Sequence, residues 1–244
     1  MDDLSGLIFR PVVETDRDQF LNLARLAFSP LRSRQEWEQE FSDKPINSPG
    51  RNGWVVADGM GNLVARYRHV EFFLWFAGTR FPMAGVAGVA VAMERRGQRI
   101  AQWMLDQALK GFREQHIPLS MLYPFQHGFY RKLGWAWVGK PHQYRVSSQH
   151  LPLFPERQQI QPFRAEQKEA LQQLYQKVAS QSNGWLERQD WQWENFFDLE
   201  GGDEIFAYVE SGELLGYVLV EFKHLEPTKS QLAIAVQEWV ALTP

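Results

Sequence analysis

The chain has 244 residues, of which 44% are hydrophobic and 23% are charged, a composition that favours one large globular domain or two smaller ones. Its formal net charge of −3 provides no general attraction to nucleic acid or to an anionic membrane, and its most apolar stretch, residues 83–93, is too short to span a bilayer. The absence of cysteine excludes disulfides, thiolate metal ligands and a cysteine nucleophile.

Hydrophobic periodicity predicts an α/β architecture with a mixed sheet. Ile100, Met104 and Leu105 recur at helical spacing, for example, whereas residues 119–123 form a compact apolar run typical of a buried strand. In chain order, the predicted elements are a strand at residues 7–11, helices at 14–28 and 33–41, strands at 53–57, 63–76 and 80–92, a helix at 100–115, a strand at 119–123, a short helix at 128–132, and strands at 135–138 and 143–147. Strands that alternate in this way with helices indicate helices packed on a sheet.

The front of this series recurs 151 residues further along the chain. Phe9-Arg10-Pro11 matches Ile160-Gln161-Pro162, and Gly61-Asn62-Leu63-Val64 matches Gly212-Glu213-Leu214-Leu215. Ungapped matches at a single offset indicate two copies of one fold.

The repeat predicts a first domain at residues 1–147, a linker at 148–159 and a second domain at 160–244. Pro244 corresponds to Met93 in the first copy, so the second copy stops before any equivalent of the later elements. An unfinished sheet leaves an open edge. We therefore expect the chain to be the front of a longer protein, or its edge to be covered by something else.

A strand of small and branched residues runs directly into a basic loop that contains glycine. The strand spans residues 85–92, and the loop reads Arg95-Arg96-Gly97-Gln98-Arg99 before a helix. Small residues let a ligand approach the backbone, and the N–H groups and positive dipole end of a helix N-terminus suit a pyrophosphate. A solvated basic turn that begins a helix fits the same residues, and physical chemistry alone leaves both interpretations open.

These residues resemble the acetyl-CoA site of the GNAT N-acetyltransferase superfamily. The usual pattern is Gln/Arg-x-x-Gly-x-Gly/Ala, in which Arg96 takes the first place and Ala101 the last, while Arg99 replaces the middle glycine. The resemblance implies a bound acetyl-CoA and a strand N–H that stabilises the developing oxyanion. The cofactor-binding residues that it implies are Val89, Ala90, Val91, Arg96, Gly97, Gln98, Arg99, Ile100 and Ala101.

A second motif makes the resemblance narrower. Residues 123–135 read Tyr-Pro-Phe-Gln-His-Gly-Phe-Tyr-Arg-Lys-Leu-Gly-Trp and are similar to the Eis-like ("enhanced intracellular survival") branch, in which two acetyltransferase-like domains are fused. The matching tyrosine of that branch lies beside the cofactor sulfur, which implies that Tyr130 is the catalytic general acid. A phenol with a reference pKa of about 10 can protonate a thiolate. The alternative is a tyrosine packed beneath the sheet for structural reasons.

The acceptor side is less well specified. The acceptor pocket of the superfamily lies between the early helices and the cofactor, which points to Trp37 and Phe41, although their spacing also fits the core face of an amphipathic helix. Glu36, Glu38 and Glu40 would attract a cationic amine or would simply be solvated. The six histidines show no metal-ligand spacing, so we expect no metal.

Taken together, these patterns predict an enzyme that transfers an acetyl group from acetyl-CoA to a small-molecule or peptide amine by direct attack. Since the acidic N-terminus does not resemble a signal peptide, we expect a cytoplasmic protein, without nucleic-acid or membrane partners. The resemblance implies a homo-oligomer for the full-length protein. The alternative function is a catalytically weak acyl-CoA-binding sensor or scaffold, in which Arg99 reflects relaxed constraint.

Overall fold

The computed structural model describes residues 4–41, 44–140, 142–199, 201–224 and 232–242, apart from the side chain of Phe41. The chain divides into two compact units. The first comprises Met1–Phe73 and Phe81–Val138, and the second comprises Leu74–Arg80 and Gly139–Pro244.

The first unit is built on one mixed sheet. The helices and strands that lie wholly or mostly in it are β1 (Ile8–Pro11), α1 (Arg17–Phe28), α2 (Arg34–Phe41), β2 (Arg51–Ala57), β3 (Leu63–Phe76), β4 (Thr79–Val91), α3 (Ile100–Glu114), β5 (Leu119–Met121) and α4 (His127–Arg131). The strands lie in the order β1-β2-β3-β4-β5, antiparallel where β2 pairs with β1 and β3, and parallel where β4 pairs with β5. The predicted mixed α/β fold is therefore confirmed.

Each face of this sheet has its own buried cluster. Val55 and Val56 are neighbours on β2 and point to opposite faces, as successive strand residues do. Val56 belongs to the cluster formed with α3, and Val55 to the cluster formed with α1 around Phe20. Gly53 allows α1 to pack this closely, because a Cβ at that position would lie 2.8 Å from Cζ of Phe20.

The second unit repeats the strand order of the first. Its helices and strands are β6 (Ile160–Pro162), α5 (Lys168–Ser180), β7 (Leu186–Glu187), α6 (Asp190–Phe197), β8 (Asp203–Glu210), β9 (Glu213–His224) and β10 (Leu232–Ala241). The antiparallel order β10-β9-β8-β6 corresponds to β4-β3-β2-β1. Even the turn glycines agree, since Gly61 has φ +85° and Gly212 has φ +84°. The predicted second, incomplete copy is confirmed.

Two predicted strands, at residues 135–138 and 143–147, are wrong. Neither range forms a helix or a strand in the part of the chain that the structure describes. Strand β5 ends at Met121 and offers only three residues for pairing. Trp135 instead packs on Tyr130, with the ring centroids 5.9 Å apart. Within the described ranges, no helix is long and apolar enough to cross a membrane.

Candidate active site

The candidate site begins where β4 and β5 separate. Their parallel pairing ends at Gly85 and Met121, whereas β4 continues to Val91. Residues 86–91 therefore lie beyond the last pair with β5, and their backbone groups on that side have no partner strand in the described sheet. Free strand N–H groups at such an edge are available to an extended ligand.

Gly88 lies within this unpaired segment. Its φ of +59° lies in the left-handed region, which glycine adopts more readily than other residues. Val89 and Val91 follow and pack against the α3 cluster, and Ala90 between them is 5% exposed. The three residues predicted to contact the cofactor thus form the end of β4 after Gly88.

The basic loop joins this strand to α3. Arg95 Nε donates to Oε1 of Gln98 at 2.8 Å, and Arg96 Nε donates to the carbonyl of Val91 at 3.3 Å, so two of the arginines help to fold the loop itself. Gly97 has φ +81°, and a Cβ there would meet nothing within 4 Å. The space above the loop is open.

Helix α3 starts without a side-chain cap. Its N-cap residue is Arg99, whose side chain makes no capping hydrogen bond, and Ile100 and Ala101 open the first turn. Uncapped N–H groups at the positive end of a 15-residue helix form an anion-binding site. The arrangement fits a pyrophosphate group.

Arg99 itself has an unusual backbone. Its φ of 57° and ψ of 13° place it in the left-handed helical region, which glycine adopts without cost and other residues avoid. The exposed arginine therefore stands at the middle-glycine place of the usual pattern with a backbone conformation that favours glycine.

Tyr130 lies in α4 and is 5% exposed. Its ring makes edge-on contacts with Phe125, Phe129 and Trp135, with centroids 5.0 to 5.9 Å apart, and belongs to the α3 cluster against which Val89 and Val91 pack. Burial raises the pKa of the Tyr130 phenol to about 12. The hydroxyl therefore keeps its proton at neutral pH and can act as a donor.

Helix α2 carries the predicted acceptor residues. Trp37 is half-buried, with the guanidinium of Arg32 5.4 Å from its ring centroid, whereas the Phe41 side chain is outside the described residues. Trp37 and Tyr130 are not in one cluster of buried residues.

The acidic residues of α2 all have local partners. Glu36 accepts hydrogen bonds from Ser33 in a capping box. Glu38 pairs with Arg34, and Glu40 pairs with Arg32. Arginine thus offsets the charges of Glu38 and Glu40, which the sequence offered as an attraction for a cationic amine, whereas Glu36 keeps its charge within the capping box.

The sequence interpretation missed two arginines on β3. Arg66 is 3% exposed and Arg68 is half-buried, and both guanidinium groups lie over the ring of Phe20. Burial, together with the charge of Arg68, lowers the pKa of Arg66 to about 9, so Arg66 is still a cation at neutral pH. The signal was in the sequence, because two arginines alternate within a largely apolar strand and therefore share a face.

One cavity lies away from these residues. It has a volume of about 490 Å³ at the C-terminal end of α3, between Leu109 and Ser120, and none of the predicted site residues lines it.

Among the described residues, no group of three acidic or histidine side chains is arranged to hold a metal ion.

Comparison with known proteins identifies the family. The family model described as an acetyltransferase (GNAT) domain matches residues 9–138, which is more than half of the chain. The chain therefore belongs to the GNAT acetyltransferase family, whose members use acetyl-CoA and act on amines. A search of curated protein sequences found no match.

Solved structures of this family have the same fold. A GCN5-related N-acetyltransferase from Anabaena variabilis aligns with a TM-score of 0.74 at 21% identity, over 97% of this chain and 59% of its own. One from Kribbella flavida gives 0.70 at 23% identity, over 96% and 57%. Eis1 from Mycobacterium abscessus gives 0.66 at 16% identity, over 97% and 59%. The chain thus spans less than two thirds of the length of these proteins.

Proposed function

We propose that the chain is an N-acetyltransferase of the Eis-like branch, which transfers the acetyl group of acetyl-CoA to a primary amine by direct attack. The observation that carries the proposal is the continuous path from the unpaired edge of β4 to the uncapped N-terminus of α3. The edge of β4 offers backbone N–H donors to an extended ligand, and the N-terminus of α3 offers a site for an anion.

Each part of the path has a distinct role in this proposal. Gly97, Gln98, Arg99, Ile100 and Ala101 hold the pyrophosphate, with Arg96 adding positive charge. The strand N–H groups of residues 89–91 stabilise negative charge that develops on the acyl oxygen. The bound thioester supplies the activated acyl group, so the protein needs no nucleophile of its own.

Tyr130 is the general acid in this proposal. Its hydroxyl carries a proton at neutral pH, and the residue lies in the cluster that supports the end of β4. A neutral donor there can protonate the departing sulfur. Trp37 and Phe41 line the acceptor side in the same proposal.

The setting of the reaction is also part of the proposal. We place it in the cytoplasm, in a homo-oligomer of the full-length protein with domains at residues 1–147 and 160–244. Support for assembly comes from β10, an edge strand on which Ile234, Val236 and Trp239 are 60%, 52% and 71% exposed.

A catalytically weak acyl-CoA-binding module is the second candidate. Arg99 favours this candidate. The backbone at the start of α3 adopts φ of 57°, which suits glycine, but this chain has an arginine there.

A Tyr130→Phe variant tests the proposed activity. We measure thiol release from acetyl-CoA with polyamines, aminoglycosides, amino acids and lysine peptides as acceptors. Loss of the general acid is expected to lower kcat by about a hundredfold or more. Acetyl-CoA binding, followed by calorimetry, is expected to stay unchanged.

Tyr123→Phe is the matched control, since Tyr123 belongs to the same motif but is 98% exposed. It is expected to retain full turnover. Equal turnover in both variants would remove Tyr130 from the mechanism, and acetyl-CoA binding without turnover of any acceptor by the wild-type protein would favour the binding module.

A further inference from the structure

Arg66 and Arg68 place two positive charges on one face of β3. As alternate residues of a strand they point to the same side. Their guanidinium carbons lie 3.6 Å and 5.1 Å from the centroid of the Phe20 ring, so both cations lie near the same phenyl ring. The two guanidinium cations repel each other, and an anion bound between or beside them would offset this repulsion.

Neither arginine has a carboxylate partner among the described residues. Arg66 Nη1 donates to the carbonyl of Phe20 at 2.9 Å, and Arg68 Nη1 donates to the carbonyl of Ile46 at 3.0 Å. Arg66 Nε is buried and has no hydrogen-bond acceptor. A buried cation without an anion is costly, and in the described part of the unit Arg66 is stabilised by the carbonyl and the ring of Phe20 but by no carboxylate.

The arginine pair lies next to the candidate acyl site. A Cβ on Gly88 would lie 3.2 Å from Arg66 Nη2, so Gly88 of β4 lies directly beside this guanidinium group. Gly88 and Arg68 are both partly exposed, so a small ligand can reach Arg68 next to the buried Arg66. Residues 89–91, which would contact the acyl group, follow immediately.

We infer that Arg66 and Arg68 bind a carboxylate group of the acceptor, so the acceptor is an amino acid rather than a polycation. The planar guanidinium group matches a carboxylate with two parallel N–H donors. The glutamates of α2, by contrast, are already paired with Ser33, Arg34 and Arg32. The inference rests on the proposed function for the transfer step, but carboxylate binding can be measured without turnover.

The experiment compares each of the twenty amino acids with its carboxamide, which keeps the shape and removes the negative charge. Binding is measured as the rise in Tm in the presence of acetyl-CoA, and turnover as thiol release. At least one amino acid is expected to bind ten- to a hundredfold more tightly than its carboxamide, the range that one or two hydrogen bonds to a charged group supply.

Variants test whether the two arginines cause the preference for the amino acid over its carboxamide. Arg66→Met and Arg68→Met keep the length of the side chain and remove the charge, and each is expected to reduce the preference about tenfold or more. Arg66→Lys keeps the charge but loses the planar fork, so it is expected to restore only part of the preference. Arg113→Met, at an exposed position on α3, is the control and is expected to retain it in full.

The outcomes separate the two proposals. Equal binding of acids and carboxamides, or an unchanged preference in both methionine variants, overturns the carboxylate site even if amines are acetylated. Selective amino-acid binding without any turnover supports the carboxylate site and overturns the proposed enzymatic function. If Arg66→Met does not fold, Arg68→Met decides the question.

Discussion

Arg99 holds a left-handed backbone at the N-terminus of α3, with φ of 57°, and this strain can be measured. For a residue with a Cβ that conformation costs about 1 kcal/mol, whereas glycine adopts it without this cost. Arg99→Gly is therefore expected to have a free energy of unfolding about 1 kcal/mol above that of Arg99→Ala. Both variants lack the guanidinium group, so urea denaturation of the pair measures the backbone alone.

Equal stability of the glycine and alanine variants would show that the loop does not impose this conformation on the chain. Acetyl-CoA affinity then separates the two roles of the residue. Weaker acetyl-CoA binding by both variants than by the wild-type protein would mean that the Arg99 side chain binds the phosphates. Tighter binding by Arg99→Gly alone would mean that the extra side chain compromises the loop.

The family pattern located Arg99 at the glycine position, but only the structure gives its backbone angles. Tyr130 was located by its motif, and its burial by Phe125, Phe129 and Trp135 depends on contacts that a sequence does not specify. Arg66 was missed for a different reason. A charged residue inside a strand is usually assigned to the solvent face, and here that face is covered by Phe20 of α1.

At the scale of elements, one glycine determines how closely α1 approaches the sheet. A Cβ on Gly53 would lie 2.6 Å from Cγ1 of Val12 and 2.8 Å from Cζ of Phe20. Gly53→Ala is therefore expected to lower the free energy of unfolding by about 1 to 3 kcal/mol, the usual cost of overpacking a core. Thermal or urea denaturation measures the change.

Gly59→Ala is the matched control, because a Cβ on Gly59 would meet nothing within 4 Å and its φ is not positive. Its free energy of unfolding is expected to stay within about 0.5 kcal/mol of the wild-type value. If the two alanine variants were equally stable, α1 would have room to move outward, and Phe20 would not be held against Arg66 as described.

Elements with a strong periodic signal were predicted well, because the side chains that generate the signal are those that pack. Helix α3 has Ile100, Met104 and Leu105 in its cluster, and it was predicted at residues 100–115 and found at Ile100–Glu114. The strands predicted at residues 135–138 and 143–147 did not form. Their apolar residues suggested strands, but a strand also needs a neighbour with free backbone groups, and β5 provides only three residues.

At the scale of the whole chain, the repeat was detectable because it has a constant offset. Helix α1 begins at Arg17 and α5 at Lys168, which are 151 residues apart, and the turn glycines Gly61 and Gly212 share a positive φ. Apolar core positions and obligatory turn residues are fixed by the fold, so they persist when the remaining residues change. The loop that follows β4 is not fixed by packing in this way.

The loop before α3 is expected to hold acetyl-CoA in the first unit, and a matched pair of glycine variants tests this. Gly97 in the loop after β4 has φ +81°, and Gly212 between β8 and β9 has φ +84°; a Cβ on either would meet nothing within 4 Å. Valine at these positions imposes similar backbone strain in the two units. Calorimetry is expected to show unchanged acetyl-CoA affinity in Gly212→Val and at least tenfold weaker binding in Gly97→Val, because the loop before α3 can no longer present its N–H groups. Equal affinity of the two variants, or a loss of affinity in Gly212→Val at unchanged stability of the first unit, would mean that the loop before α3 is not the cofactor site.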